Sequence, residues 1–255
     1  MNMSKVLSFL YGVICYVVFF VSFLYAIGFV GSMMVPKTIN SGNQSTVSRS
    51  LIINLVLLGL FAIQHTIMAR PGFKQKWRKV LPVHAERSTF VLVTSLLLFL
   101  LFWQWRPVTT VIWTVEHPFG RWLLWTLFWL GWIMVLLSTF MIDHFDLFGL
   151  RQVWLYLLGK DYHHVKFQTT WLYKYLRHPI MLGFIIAFWA TPHMTTGHLL
   201  FAVATTVYIL VGIQFEERDL IRFLGTDYEE YRRRVPMLIP FVKKRGGKGS
   251  VKGLE

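Results

Sequence analysis

The stretch VLSFLYGVICYVVFFVSFLYAIGFVGSMM, residues 6–34, contains no charged side chain and is long enough to cross a membrane. A helix that spans the apolar core of a bilayer needs about 20 mostly apolar residues, and a secretory signal peptide has a much shorter apolar region. Further apolar runs follow at residues 51–69, 89–105 and 122–142. The sequence therefore predicts an integral membrane protein with several spanning helices.

Two shorter apolar runs, residues 180–190 and 199–215, lie near the C-terminal end and are separated by Pro192 and Gly197. The first would be only about 16 Å long as a helix at about 1.5 Å per residue, roughly half the thickness of a ~30 Å apolar core. We expect a tight helical hairpin here, or one full span paired with a shorter helix.

The predicted fold class is all-α, a polytopic integral membrane bundle of about five to six transmembrane helices with a C-terminal helical hairpin. We expect one domain over residues 1–242, with N-terminal spans in 6–142 and a polar, site-bearing part in 143–242. The tail at 243–255 is rich in glycine and lysine and should be disordered because it has no apolar residues to bury in a regular pattern.

The distribution of positive charge predicts the orientation, since the formal net charge is +14 although only 15% of residues are charged. Lysine and arginine are concentrated in three polar segments, residues 70–87, 143–178 and 216–255. The intervening loops, residues 35–50, 106–121 and 191–198, hold four such residues in total. Positively charged loops stay in the cytoplasm. We therefore expect a multi-pass protein of the cell inner membrane, with both termini and the long polar segments cytoplasmic.

The distribution of positive charge also indicates which binding partners the protein has. The positive charge is explained by topology and by contact with anionic membrane lipid, and nucleic acid is not expected because no basic-aromatic groove motif is present. Cys15 is the one cysteine, which excludes an intramolecular disulfide and a cysteine-rich metal site. No His-x-x-x-His spacing occurs, so no metal site is predicted.

Two polar clusters flank the pair of C-terminal apolar runs, one before residue 180 and one after residue 215. Arg177 and His178 precede Pro179, which suits the first position of a helix, and free backbone N–H groups at such a start favour anions. Glu216 and Glu217 follow the last run and would point about 100° apart on a helix, so that one can face inward and the other outward. The ordinary alternatives are a basic flank of a span and a solvated helix end.

The order and spacing of the sequence motifs in this region resemble those of a known group of proteins. Arg177-His178-Pro179-x-x-x-Gly183 is followed by Glu216-Glu217-x-x-Leu220 and by Gly225-x-x-Tyr228-x-x-Tyr231-x-x-x-Val235-Pro236. Over roughly residues 173–240 the chain resembles the isoprenylcysteine carboxyl methyltransferase and phospholipid methyltransferase group of membrane enzymes. Met181 departs from the pattern, since many members have tyrosine there.

Four more stretches extend the resemblance over nearly the whole chain, to the bacterial methanethiol S-methyltransferase branch. They are YAIGFVG at 25–31, QHTIMARP at 64–71, FWQWRP at 102–107 and HFDLFGLRQVW at 144–154. This branch implies S-adenosylmethionine as the methyl donor, methanethiol as the acceptor and dimethyl sulfide as the product.

The resemblance also implies residue roles. Arg177, His178 and Gly183 are expected near the methionine end of S-adenosylmethionine, and either Glu216 or Glu217 is expected at its amino group or ribose. The residues expected to close the pocket from the cytosolic side are Tyr228, Tyr231 and the arginines at 232–234.

The acceptor must react as a thiolate, so a base or an electropositive pocket is expected. His144 and Asp146 are the catalytic candidates, but two positions apart on a continuous helix they would not share a face. Either the helix breaks and Asp146 orients His144, or one acts and the other is structural. Arg151 and Gln152 are expected to line the same vestibule, unless this segment is simply an interfacial amphipathic helix.

His65, beside Gln64 on the second span, is a further substrate candidate, with a hydrogen-bonded histidine that packs between helices as its alternative. Two other functions remain open. The same donor could methylate a lipid amine or a prenylated cysteine, or the bundle could be a non-catalytic membrane binding protein.

Overall fold

The computed structural model describes residues 2–163 and 169–239, and the tail expected to be disordered, 243–255, lies outside these ranges. The helices are α1 (Met3–Gly31), α2 (Val47–Ala69), α3 (Pro71–Trp77), α4 (Val83–Gln104), α5 (Pro118–Ile142), α6 (His144–Leu147), α7 (Leu150–Leu158), α8 (Pro179–Trp189), α9 (Thr196–Leu224) and α10 (Thr226–Arg234). Two short strands, β1 (Val111–Thr114) and β2 (His193–Thr195), pair antiparallel.

The predicted fold class is confirmed. Five helices in the described ranges, α1, α2, α4, α5 and α9, are long and apolar enough to cross a membrane. Helix α8 has 11 residues and lies beside the full-length α9, so the terminal hairpin combines a short helix with a spanning one.

Helix α9 extends well past the end of its apolar run at residue 215 and stops at Leu224. Gly225, with a φ of +59°, then allows the chain to turn into α10. Because the helix continues, both Glu216 and Glu217 lie on a regular helical surface, as the sequence predicted.

Helices α5 and α8 approach each other closely through a pair of glycines. A Cβ added at Gly131 would lie 2.7 Å from the carbonyl oxygen of Gly183, and one added at Gly183 would lie 2.7 Å from the carbonyl oxygen of Gly131. Large aromatic side chains pack beside this contact, where Trp132 meets Phe184 and Phe188 edge to face. Small residues at a helix crossing allow this backbone approach.

We predict that Gly131→Ala destabilises the protein by about 1–3 kcal/mol, since an added methyl group must push α5 and α8 apart. Gly212→Ala on α9 is the matched control, because a Cβ there has no neighbouring atom within 4 Å. The difference between the unfolding midpoints of the two variants is measured in the same detergent. Because both variants replace a helical glycine by alanine, the gain in helix propensity cancels in this difference. Equal midpoints would contradict the tight crossing.

The ends of several helices meet at one end of the bundle. Arg70, after α2, pairs with Asp219 of α9 at 2.9 Å, and the hydroxyl of Thr170 donates to the carbonyl of Met141 in α5 at 2.9 Å. The two strands pair at the other end, where Trp113 lies opposite Met194. The polar residues singled out in the sequence therefore gather at one end of the bundle, apart from His65 within α2.

Candidate active site at the meeting of α8, α9 and α10

A buried ion pair forms the centre of the first cluster. Glu217 on α9 accepts from Nε of Arg177 at 2.7 Å, and its side chain is 6% exposed. Nε2 of His178 lies 3.1 Å from the same oxygen, Oε1, and Nε of Arg232 lies 3.4 Å from Oε2. Buried carboxylates require such partners, so Glu217 fixes the two residues before α8.

The end of α10 and the segment that follows it form further hydrogen bonds with Arg177 and His178. The Arg177 guanidinium donates to the carbonyls of Arg232 at 2.8 Å and Val235 at 2.7 Å. The backbone N–H groups of Arg177 and His178 donate to the carbonyls of residues 236 and 237. These two N–H groups are therefore not free to bind an anion; the free donors expected from the sequence are those of the first turn of α8 itself, which these contacts do not involve.

The neighbouring glutamates point in different directions. The side chain of Glu216 is 47% exposed, and its Oε2 lies 3.7 Å from Nδ1 of His178, which is longer than a hydrogen bond. Glu217 is buried. One carboxylate thus faces inward and the other outward, as their adjacency on a helix predicted.

Two buried tyrosines of α10, Tyr228 and Tyr231, form a wall beside the ion pair. The hydroxyl of Tyr231 donates to the carbonyl of Tyr173 at 2.6 Å. Burial raises the pKa of Tyr231 to about 12, and burial likewise raises the pKa of Tyr228. Both side chains therefore stay neutral at physiological pH.

Gly183 is the one predicted cofactor residue that the structure does not bring to this cluster's polar groups. It lies against Gly131 and Val135 of α5, which leaves no room for a ligand on its Cα. Gly183 therefore serves the packing of α8 against α5.

A second polar cluster follows the end of α5. Asp143, with a φ of 171°, ends the helix, and its Oδ1 accepts from the backbone N–H of Asp146 at 3.0 Å. Oδ1 of Asp146 accepts from Arg151 at 2.9 Å and from Gln152 at 3.3 Å. Its other oxygen accepts from the hydroxyl of Tyr162 at 3.2 Å. The structure thus brings Asp146, Arg151 and Gln152 together.

His144 belongs to a different environment. Its Nε2 lies 2.8 Å from the hydroxyl of Tyr16 and its Nδ1 lies 2.7 Å from that of Thr139, while the ring stacks on Phe140. Burial lowers the pKa of His144. The helix does break between α5 and α6, but both ring nitrogens are already bonded elsewhere. The expectation that Asp146 orients His144 is therefore wrong, and the alternative of separate roles remains.

Substitution of Asp146 and substitution of His144 should consequently have different effects. We predict that Asp146→Asn lowers the turnover about tenfold while the fold is kept, because it weakens an ion pair at the polar cluster. His144→Ala should instead lower the free energy of unfolding by about 1–3 kcal/mol, since the buried hydroxyl of Thr139 and the half-buried hydroxyl of Tyr16 each lose a partner. Activity and thermal unfolding are measured on both, with the exposed Asp161→Asn as control. A large activity loss in a fully stable His144→Ala would contradict the assignment.

His65 lies apart from these contacts, within α2. Its ring stacks on Phe61 at 5.5 Å and meets Phe90 of α4 at 5.0 Å. Neighbouring Gln64 lies within hydrogen-bond distance of Thr94, also on α4. These contacts join α2 to α4 and favour a packing role for His65 over contact with a substrate. The hydrogen bond expected of such a histidine is not found at its buried Nδ1, which has no partner among the described residues.

Sequence reasoning missed several partners of the candidate residues. The hydroxyls of Tyr16 and Thr139 are hydrogen-bonded to His144, and that of Tyr162 donates to Asp146. The backbone carbonyl of Tyr173 accepts from the hydroxyl of Tyr231. Tyr16 is 128 positions from His144, and no local pattern marks such a pair.

The fold and the two polar clusters define a polytopic helical membrane protein with an ionised, partly buried centre at one end of the bundle. Its sequence matches the family described as NnrU protein over residues 52–238. It is 56% identical over 239 residues to the methanethiol S-methyltransferase of Mycobacterium tuberculosis, covering 94% of this chain and 98% of that relative. It is 50% identical over 243 residues to the methanethiol S-methyltransferase of Crocosphaera subtropica, covering 95% of each chain.

A more distant relative is Nurim from Xenopus laevis, 29% identical over 194 residues, or 72% of this chain and 68% of that protein. No solved structure matches the chain. The chain belongs to the NnrU family and, on its identity to these relatives, to the family of methanethiol S-methyltransferases. The resemblance inferred from the motifs is thereby confirmed.

Proposed function

We propose that this chain transfers a methyl group from S-adenosylmethionine to the sulfur of methanethiol and forms dimethyl sulfide, at the cytoplasmic face of the cell inner membrane. Family membership supports the acceptor, because relatives that are 56% and 50% identical to this chain are named for it. The lysine and arginine distribution supports the orientation. The observation that carries the proposal is the pair of adjacent glutamates held in opposite environments.

The residues present suit the chemical groups of S-adenosylmethionine, which are a sulfonium, an ammonium, a carboxylate and a ribose. Glu216 offers a half-exposed carboxylate, which suits an ammonium or ribose hydroxyls. Arg232, 42% exposed at the same place, offers a cation for a carboxylate. When bound, the donor supplies a methyl group on positively charged sulfur, so that departure of its sulfur needs no acid.

The rest of the cluster acts by positioning. Glu217 holds Arg177 and His178 at fixed distances, and the buried Tyr228 and Tyr231 form the wall beside them. Reacting atoms held about 3–3.5 Å apart gain roughly 7–11 kcal/mol over the free reactants. We therefore assign these five residues to holding and orienting the donor.

Methyl transfer forms a bond from carbon to the acceptor sulfur and releases the thiol proton. A free cysteine thiol has a pKa of about 8.5, and a simple alkyl thiol should be higher, so an electropositive group or an acceptor for the proton is needed. Asp146 and Arg151, paired at 2.9 Å, offer both within one cluster. We propose that this pair, rather than His144, faces the acceptor.

The test is formation of dimethyl sulfide by the purified protein in lipid nanodiscs with S-adenosylmethionine and methanethiol. We expect product in the headspace only with both reactants, and at least about a tenfold loss for His178→Ala, because a hydrogen bond to a charged group contributes about 1.5–3 kcal/mol. His193→Ala, exposed at the other end of the bundle, is the control. Methylation of phosphatidylethanolamine without dimethyl sulfide would favour the lipid-amine alternative, and no product from either would refute both.

A further inference from the structure

A groove between two spanning helices lies beside the candidate site and takes no part in the chemistry proposed above. It has a volume of about 390 Å³ and opens between the α2–α3 junction and the last turns of α9. The residues that line it are Arg70, Pro71, Gly72, Phe215, Arg218, Asp219 and Arg222.

The groove carries an excess of positive charge. Three arginines line it against one carboxylate, that of Asp219, which lies 2.9 Å from Arg70 and 3.9 Å from Arg222. The guanidinium of Arg222 is 79% exposed, and the guanidinium groups of Arg70 and Arg218 lie over the ring of Phe215 at 5.4 and 5.8 Å. Glu216 lies outside the lining but is close enough to interact with the charge of Arg70. The cations still outnumber the carboxylates by three to two, so the groove favours an anion.

Exposed apolar stripes lead along both helices to this groove. On α9, Val207 is 56% exposed and Val211 48%, and they are followed on the same face by Phe215, Arg218 and Arg222. On α2, Ile63 and Ile67 are similarly exposed and lead to Arg70. Residues three and four apart share a helix face. Each stripe is therefore apolar within the span and cationic at its end.

We propose that this groove binds one anionic glycerophospholipid, with its phosphate among Arg70, Arg218 and Arg222 and an acyl chain along Ile67 and Val211. Charge selects the headgroup, and the apolar stripes select a lipid over a free phosphate, which has nothing to bury there. The proposal is independent of the methyl-transfer chemistry. It has a consequence for that site, because Phe215 and Arg218 flank Glu216 and Glu217 on α9, so a bound lipid holds the end of the helix that carries both.

The test uses the full chain in nanodiscs of phosphatidylcholine with 10% phosphatidylglycerol as the probe, followed by detergent extraction and native mass spectrometry of retained lipid. We expect phosphatidylglycerol to be retained over phosphatidylcholine. Each basic residue near an anionic surface contributes a factor of about five, so the double variant Arg218→Gln/Arg222→Gln should retain roughly 25-fold less. Lys76→Gln/Lys79→Gln removes the same charge from exposed positions outside the groove and should retain as much as the wild type.

Glycerol 1-phosphate and inorganic phosphate, each at millimolar concentration, form the competing arms. Neither should displace the retained lipid if the acyl chain contributes to binding, and displacement by either would overturn the proposal. Equal retention of the two lipids by the wild type would also overturn it, as would an equal loss in both double variants. Thermal unfolding of the variants in plain phosphatidylcholine, expected unchanged because the mutated side chains are exposed, excludes misfolding as the cause of a loss.

Discussion

Replacing Glu217 by glutamine should cost more than any other single change in the cluster, both in stability and in activity. Arg177 is 7% exposed and has Glu217 as its carboxylate partner, and arginine does not lose its proton in proteins. The variant therefore leaves a buried, uncompensated guanidinium. Removal of one partner of a buried ion pair costs about 3–5 kcal/mol, and we expect the lower end because an amide oxygen can still accept a hydrogen bond.

The same change should lower turnover about a hundredfold, since Arg177 and His178 lose their common anchor and displacement of about 1 Å at a site can have that effect. Thermal unfolding and dimethyl sulfide formation are measured together. Glu230→Gln, an exposed carboxylate on α10, removes the same charge and should change neither quantity. A Glu217→Gln protein with the wild-type unfolding midpoint would show that the ion pair does not hold this end of the bundle.

The spans and the hairpin were predictable because the length of an apolar run decides whether a helix can cross a bilayer. Glu216 and Glu217 were likewise predictable as a divided pair, because the helical rotation per residue fixes their relative direction. These predictions depend on local chain geometry alone.

The environment of His144 could not be predicted in this way. Its partner Tyr16 lies on α1, and which helices become neighbours depends on how their surfaces fit together, as those of α5 and α8 do where the backbones meet at Gly131 and Gly183. The sequence also could not predict that residues 236 and 237 pack across the start of α8. They bind there through backbone carbonyl groups, which every residue has, so no residue type marks the contact.

Because Glu216 and Glu217 have different environments, we expect substitution of Glu216 to have a different effect from substitution of Glu217. Glu217 already has Arg177, His178 and Arg232 around its oxygens, so its carboxylate is committed to the protein. Glu216 is half exposed, and its contact with His178 is 3.7 Å long. A carboxylate in that position retains the capacity to accept hydrogen bonds from a ligand's ammonium or hydroxyl groups.

We therefore predict that Glu216→Gln leaves the unfolding midpoint within the error of wild type but weakens binding of S-adenosylhomocysteine by about 10- to 150-fold, the range for a lost hydrogen bond to a charged group of about 1.5–3 kcal/mol. Titration calorimetry in nanodiscs measures the affinity, and Glu230→Gln again serves as the control. Saturating donor should restore part of the turnover in Glu216→Gln, because the loss is in binding, but not in Glu217→Gln, whose anchor is gone. Unchanged affinity in Glu216→Gln would place the donor's ammonium elsewhere and remove the observation on which the proposed function rests.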